Sequence, residues 1–276
     1  MTWTIALHGG AYSDPEGDAS GQESFLRELL PVLGQRLANA EPALEAVTEA
    51  LRAMEDSGFF NAGKGAAANA HGDVELDAAV MEGHSSRAGA VAAVRGFRNP
   101  VLAARTIMET TKHVLLAGPL AERYLREQKL EEVSPGYFTH AQQHREHGTI
   151  GAVALDVHGH FAAATSTGGI AGKLPGRIGD SPIVGAGTWA DGRCAVSCTG
   201  QGETFIRSAA AARLAFALGN GTTLVEAAQQ ALDAVEAIGG KGGLIAIDRS
   251  GHVAAPFVTR GMVRGWALPG EMEVHV

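Results

Sequence analysis

A hydroxyl placed directly after a peptide bond that could be cut is the first chemistry this sequence offers. Gly148-Thr149 stands between a polar segment and the strongly apolar run Ile150-Gly151-Ala152-Val153-Ala154-Leu155. A threonine hydroxyl is a weak nucleophile with no base of its own. If the bond before Thr149 breaks, that residue gains a free α-amino group beside its hydroxyl. The reference pKa of such an amine, about 7.7–8.0, suits a general base at neutral pH. Threonine with its own N-terminal amine is a known nucleophile–base pairing. Spacing alone leaves the bland alternative open, because any threonine can begin a strand.

Other motifs carry less. Gly58-Phe59-Phe60-Asn61-Ala62-Gly63-Lys64-Gly65 follows most of a phosphate-binding loop, but Gly65 sits where a Ser or Thr hydroxyl is needed for Mg²⁺, and a helix precedes it where a strand is required. Gly185-Ala186-Gly187 and Gly200-Gln201-Gly202 lack the third glycine of a dinucleotide fingerprint. Gly200 and Gly202 open a helical pattern, so their backbone N–H groups could hold an anion or oxyanion. His140, His144 and His147 have helical spacing for a metal, yet their polar setting reads as a solvated linker.

These residues need elements to hold them. Residues 3–7 read as a buried strand running into a turn at His8-Gly9-Gly10. Phe25, Leu26, Leu29, Leu30 and Leu33, then Leu44, Val47, Leu51 and Met54, recur at helical spacing, with Pro42 suited to the first turn of the second helix. After a glycine-rich stretch at 58–72 come strand-like segments at 74–81 and 88–94, and a turn at Asn99-Pro100. A helix at 101–111, a short apolar segment at 113–116 and a helix at about 120–128 follow. Residues 130–148 show no periodicity and read as an exposed loop, a length often reserved for function. Residues 149–156 form an apolar strand, turning at His158-Gly159-His160 into a strand at 161–166. Helices at about 202–218 and 224–238, a hairpin of 243–248 with 252–256, and a last strand at 262–268 complete the chain. Strands and helices grouped in blocks favour α+β layers with antiparallel sheet over a doubly wound fold.

Composition narrows the partners. The 276 residues are 45% hydrophobic and 19% charged, which excludes a disordered chain. A formal net charge of -8 with no Lys/Arg run argues against nucleic acid or an anionic membrane. Cys194 and Cys198 alone cannot make a disulfide framework and read as small buried thiols. Residues 1–8 lack a secretory pattern and no apolar stretch reaches membrane-spanning length, so a cytoplasmic location is expected.

The segment from Gly148 to Asp156 resembles the new N-terminus of plant-type asparaginases, also called isoaspartyl peptidases. The resemblance continues through Ala162-Ala163-Ala164-Thr165-Ser166-Thr167-Gly168-Gly169, Gly176-Arg177-Ile178-Gly179-Asp180-Ser181-Pro182 and Ser197-Cys198-Thr199-Gly200-Gln201-Gly202-Glu203. Upstream, His8-Gly9-Gly10-Ala11, Phe60-Asn61-Ala62-Gly63-Lys64-Gly65 and Glu75-Leu76-Asp77-Ala78 fit in the same order. It spans nearly the whole chain. It implies a four-layer αββα sandwich of the N-terminal-nucleophile hydrolase type, a single domain over residues 1–276. It also implies autocatalytic cleavage into an α chain (1–148) and a β chain (149–276), assembled as a homodimer of αβ pairs.

By position in that resemblance, Thr149 is the nucleophile and its freed amine the base, with Thr167 orienting the hydroxyl. Arg177 would take the substrate α-carboxylate, for which a guanidinium fork is well shaped, and Asp180 the α-ammonium. Thr199 and the Gly200 N–H would stabilise the oxyanion, Gly202 would add a backbone contact, and Asn61 would support the site. The resemblance brings no catalytic cofactor but does bring a structural Na⁺ held by backbone carbonyls of a loop containing Met54, Glu55, Ser57, Phe60, Ala62 and Lys64. Read without it, Arg177 and Asp180 could simply pair with each other, Thr165 and Thr167 could be alternating strand residues, and Asn61 and Gly63 could close a helix.

The expected substrate is a small molecule or dipeptide, either asparagine or a β-aspartyl (isoaspartyl) dipeptide. Glycosylasparaginase is the nearest alternative, although Thr167-Gly168-Gly169 favours the asparaginase branch. A taspase-type endopeptidase fits less well, since that branch carries a long linker. An unprocessed, non-catalytic member is a further alternative. The chain is shorter than typical members, Ala171-Gly172 replaces the more usual Thr-Asn before Lys173, and Tyr12 follows Ala11 where glycine is common.

Overall fold

The computed structural model describes residues 2–12, 19–138 and 148–276. His140, His144 and His147, with the rest of residues 139–147 of the expected loop, lie outside the described residues. Strand β1 (Thr4–Tyr12) is followed by helices α1 (Ser20–Ala38) and α2 (Ala43–Ser57), strands β2 (Leu76–Glu82) and β3 (Ala88–Val94), helix α3 (Pro100–Thr110), strand β4 (Leu115–Ala117) and helix α4 (Gly118–Glu127). Then come β5 (Thr149–Leu155), β6 (Phe161–Thr167), β7 (Thr188–Ala190) and β8 (Cys194–Gly200), helices α5 (Gly202–Ser208), α6 (Ala210–Gly219) and α7 (Leu224–Glu236), and strands β9 (Gly242–Asp248), β10 (Val253–Ala254), β11 (Gly261–Leu268) and β12 (Glu271–His275).

The strands make two sheets, one in the order β12-β11-β1-β5-β6-β2-β3-β4 and one in the order β10-β9-β8-β7. Every strand pair is antiparallel except β3 with β4, in line with the expected blocks. Alternation along β5 explains how the sheets are used. Ile150, Ala152 and Ala154 join one core with Leu26, Leu30 and Leu33 of α1 and Val47, Leu51 and Met54 of α2. Val153 and Leu155, pointing to the other face, join Phe161, Ala163, Ala195, Ile245 and Ile247, a core fed by strands of both sheets. A third core sets Leu214 of α6 and Leu232 and Val235 of α7 against Val196 and Leu244 of the smaller sheet. None of the helices among the described residues is long and apolar enough to cross a membrane.

Four expectations change. β1 does not stop at His8-Gly9-Gly10 but continues to Tyr12 with a register shift between His8 and Gly10. Gly10 supplies a positive φ of 109° there, and a Cβ on Gly9 would lie 2.5 Å from the Phe60 ring. Those glycines serve a bulge and a close approach rather than a turn. The helix expected at 202–218 is two, broken at Ala209 (φ 50°), because the Ala211 and Ala212 amides bond the carbonyls of Ala186 and Gly185 instead of continuing the helix. Strands β7, β8 and β12 are additional to those read from sequence. Helix α2 ends at left-handed Gly58, so Asn61 and Gly63 do not close it.

Candidate active site

Register delivers the central pair. In the β5–β6 ladder Thr149 faces Thr167 and Gly151 faces Thr165. Thr149 Oγ1 donates to Thr167 Oγ1 at 3.2 Å, and Thr167 Oγ1 donates to the Gly148 carbonyl oxygen at 3.2 Å. The Gly169 amide donates to Thr167 Oγ1 at 2.9 Å and fixes its orientation. The Thr149 hydroxyl is therefore linked through one side chain to the carbonyl of the bond preceding it. Thr167 draws electron density from that carbonyl, the polarisation an attack on its carbon requires.

Asn61 braces this pair from the loop after α2. Its Nδ2 donates to the Gly169 carbonyl at 2.6 Å, its Oδ1 accepts from the Ala67 amide at 2.8 Å, and its carbonyl accepts from Gly168 N at 3.0 Å. A Cβ on Gly148 would sit 2.8 Å from Asn61 Cβ, so the residue before Thr149 has no room for a side chain.

A small cleft brings together Gly148, Thr149, Thr167, Arg177, Asp180 and Gly200, completed by Gly169, Ile170, Gly179 and Ser181. Thr199, Gly202 and Asn61 are not part of that lining. Arg177 and Asp180 are not partners. The Arg177 guanidinium makes a two-pronged bond to Glu203, at 2.8 Å from Nε and 2.9 Å from Nη2. Sequence reading quoted Glu203 without giving it a role, and its separation of 26 positions carries no local signal. Asp180 is 3% exposed and its Oδ2 has no hydrogen-bond partner. Burial pushes its carboxyl up to about 7; its own backbone amide and Arg177 oppose this, while Glu203 and Asp77 add to it. A buried, unsatisfied acidic oxygen beside a guanidinium is suited to a ligand bearing both an ammonium and a carboxylate.

Thr199 Oγ1 accepts from the Ala11 amide at 3.2 Å, which leaves its own O–H to donate elsewhere. Gly200 has φ 146°, and a Cβ there would meet the Lys241 carbonyl at 2.4 Å, so only glycine holds this bend at the cleft wall. Gly202 lies against Asp180: a Cβ on it would be 2.9 Å from Asp180 Oδ1.

A row of buried hydroxyls runs alongside, of which only Thr165 reads from the sequence as a strand position. His8 Nε2 bonds Ser197 Oγ at 3.0 Å, and Ser197 Oγ bonds Thr165 Oγ1 at 2.7 Å. Thr188 Oγ1 donates to Thr165 Oγ1 at 2.6 Å and is also within 3.0 Å of the Ser181 carbonyl. Burial lowers the His8 imidazole to about 3, partly offset by the Thr149 backbone, so His8 is neutral at physiological pH.

The loop expected to hold Na⁺ is tightly folded. A Cβ on Gly63 would lie 2.8 Å from the Glu55 carbonyl oxygen, and one on Gly65 2.3 Å from that of Phe60. The Glu55 carboxylate accepts from Ser166 Oγ at 2.7 Å and Val101 N at 3.0 Å, and burial raises it to about 8. Among the described residues no group of three or more His, Cys, Asp or Glu could hold a metal.

The sequence profile of the family described as asparaginase matches residues 1–146 and 139–276. The isoaspartyl peptidase of Escherichia coli strain K12 is 44% identical over 299 aligned residues, covering 97% of this chain and 93% of that protein. The plant-type L-asparaginase of Pyrobaculum calidifontis is 39% identical, covering 99% of each. The mouse isoaspartyl peptidase/L-asparaginase is 37% identical, covering 100% of this chain and 91% of that protein. With matches of this extent in both halves, the chain belongs to the asparaginase family.

Proposed function

We propose that this protein cuts itself between Gly148 and Thr149 and then hydrolyses the side-chain amide of asparagine or of β-aspartyl dipeptides. The observation that carries the reading is the Thr149–Thr167–Gly148 hydrogen-bonded chain at the mouth of a cleft holding Arg177 and Asp180. In self-cleavage, Thr149 Oγ adds to the Gly148 carbonyl carbon, the C–N bond breaks to free the α-amine, and water hydrolyses the resulting ester. In turnover that amine takes the hydroxyl proton as Oγ adds to the substrate's β-carbonyl. Thr199 O–H and Gly200 N–H hold the oxyanion, ammonia or an amine leaves, and water releases aspartate. Arg177 exchanges its Glu203 partner for the substrate α-carboxylate, and Asp180 takes the α-ammonium.

The same reading carries a four-layer αββα arrangement of the N-terminal-nucleophile type, supported by the core shared between the sheets and the helix-backed cores on either side. It further includes a homodimer of αβ pairs and a structural Na⁺ on carbonyls of residues 54–64. The carbonyls of Glu55, Gly58 and Phe60 gather against Gly63 and Gly65, which supports a site on backbone oxygens there.

Intact mass of the purified protein should show two fragments meeting at Gly148/Thr149, and Thr149→Ala should abolish both the cut and turnover. Turnover surviving in Thr149→Ala overturns the mechanism. Assays on asparagine, β-aspartyl-leucine and an N-glycosyl-asparagine separate the substrate branches.

A further inference from the structure

Arg177 and Asp180 ride on the segment between β6 and β7, which has no helix or strand of its own. A substrate clamp on irregular backbone needs an outside support to be held in place. That support comes from the residue just before β2. Glu75, 3% exposed, accepts the Gly176 amide with both carboxylate oxygens, at 3.1 and 3.0 Å. Arg95 Nη2 donates to Glu75 Oε1 at 2.9 Å and Asn69 Nδ2 to Oε2 at 3.1 Å. Lys173 Nζ donates to the Glu75 carbonyl at 3.0 Å, and the Lys173 carbonyl accepts from Ala70 N at 2.8 Å. Gly176 has φ 81° with open space around it, so the turn requires glycine for its backbone shape rather than for room.

Two residues further along, Asp77 is fully buried. Its Oδ1 accepts from Ala93 N at 2.8 Å, its Oδ2 has no hydrogen-bond partner, and the Gly179 amide acts on it through space. Asp77 also faces Thr167 in the β2–β6 ladder. Glu75 therefore holds the residue immediately before Arg177 by hydrogen bonds, while Asp77 acts on the residue immediately before Asp180 through space alone. One strand end thereby meets both halves of the clamp. The self-cleavage group, built from Thr149, Thr167, Gly148 and Asn61, makes no hydrogen bond to Glu75.

We infer that Glu75, with Asp77 behind it, is a positioning residue for the substrate's α-amino and α-carboxylate groups, separable from the machinery of self-cleavage. This rests on the proposed amidohydrolase reading. The test compares wild type, Glu75→Gln and Asp77→Asn as full chains. It measures self-cleavage on denaturing gels, KM and kcat for β-aspartyl-leucine, Kd for L-aspartate by calorimetry, and amide exchange in residues 170–181. Glu75→Gln keeps the shape and loses one acceptor and the charge. It should raise KM and Kd about 10-fold, the scale of one charged hydrogen bond, with kcat and self-cleavage within about twofold and faster exchange at Gly176. Asp77→Asn should shift the same quantities and speed exchange at Gly179.

Unchanged KM, Kd and exchange in both variants overturn the inference. So does a parallel fall of KM-independent turnover and self-cleavage, which would mark a general folding role. A wild type with no turnover defeats the functional reading instead; the exchange measurement then still decides whether Glu75 holds the segment.

Discussion

Strands β5, β6 and β8 are each two kinds of molecule along one length. At one end Thr149, Thr165, Thr167, Ser197 and Thr199 face the space between the sheets, with His8 and Thr188 beside them. At the other end the same face carries Val153, Leu155, Phe161, Ala163 and Ala195. Both ends are buried and lie along the same ladders, β5–β6 in one sheet and β8–β9 in the other, yet one is hydroxyl-rich and the other dry. The apolar end needs only volume. The polar end needs most of its hydroxyls matched, because a buried hydroxyl without a partner costs more than a hydroxyl bond returns; the Thr199 O–H and His8 Nδ1 are the exceptions there. Gly151 shows how closely the boundary is drawn: a Cβ there would be 2.0 Å from Ser197 Oγ and 2.2 Å from His8 Nε2.

The contrast breaks most visibly at the apolar end. Phe161→Ala should cost about 3–5 kcal/mol in denaturant unfolding, the range for an aromatic cavity, while the folded fraction still cuts itself. A cost under about 1 kcal/mol would mean that this end collapses freely and is not a packed core. At the polar end, Thr165→Val keeps the shape but removes two hydroxyl bonds, those to Ser197 and Thr188, leaving them His8 and the Ser181 carbonyl as partners. A loss of about 1–3 kcal/mol is expected there, and a neutral or stabilising result would show that the hydroxyl row has no energetic role.

His8 sharpens the comparison through pH. Folded, it takes a proton only near 3, whereas the unfolded chain takes one near 6.5, so wild type should lose stability as pH falls from 6.5 toward 3. The slope from this one group is about 1.4 kcal/mol per pH unit. His8→Asn lacks that term, and the raised carboxyls of Glu55 and Asp180 are common to both proteins. The stability gap between wild type and variant should therefore narrow on acidification, and parallel curves would sink the assignment. The smallest effect belongs to Asp180, whose carboxyl sits up at about 7. Affinity for L-aspartate should weaken below that pH by up to about 10-fold per unit as the carboxylate is lost. A Kd that is flat from mildly acidic to neutral pH would contradict the ammonium role.

The sequence made the nucleophile strand legible because β5 is uniformly apolar after a single hydroxyl, and the helices α1 and α2 because their leucines keep one face. What stayed hidden depends on partners far along the chain. Ala209 is an excellent helix former by propensity, and only the carbonyls of Gly185 and Ala186 break the helix there. Strand β7 is three residues long, too short for alternation to register. The bridge from Arg177 to Glu203 and the Glu75 bond to Gly176 join residues 26 and 101 positions apart, which no local pattern encodes.

The order of the larger sheet has a consequence for the two-chain protein that self-cleavage would produce. Strands β1 to β4 would belong to one product and β5, β6, β11 and β12 to the other, yet β1 lies between β11 and β5, and β2 pairs with β6. Three ladders would then be stitches between separate molecules. Cutting removes one covalent bond without giving the halves a way apart. What changes is the molecularity of the reverse path: the precursor refolds as one body at a rate independent of dilution, while the cut protein, once unfolded, must find its other half by diffusion.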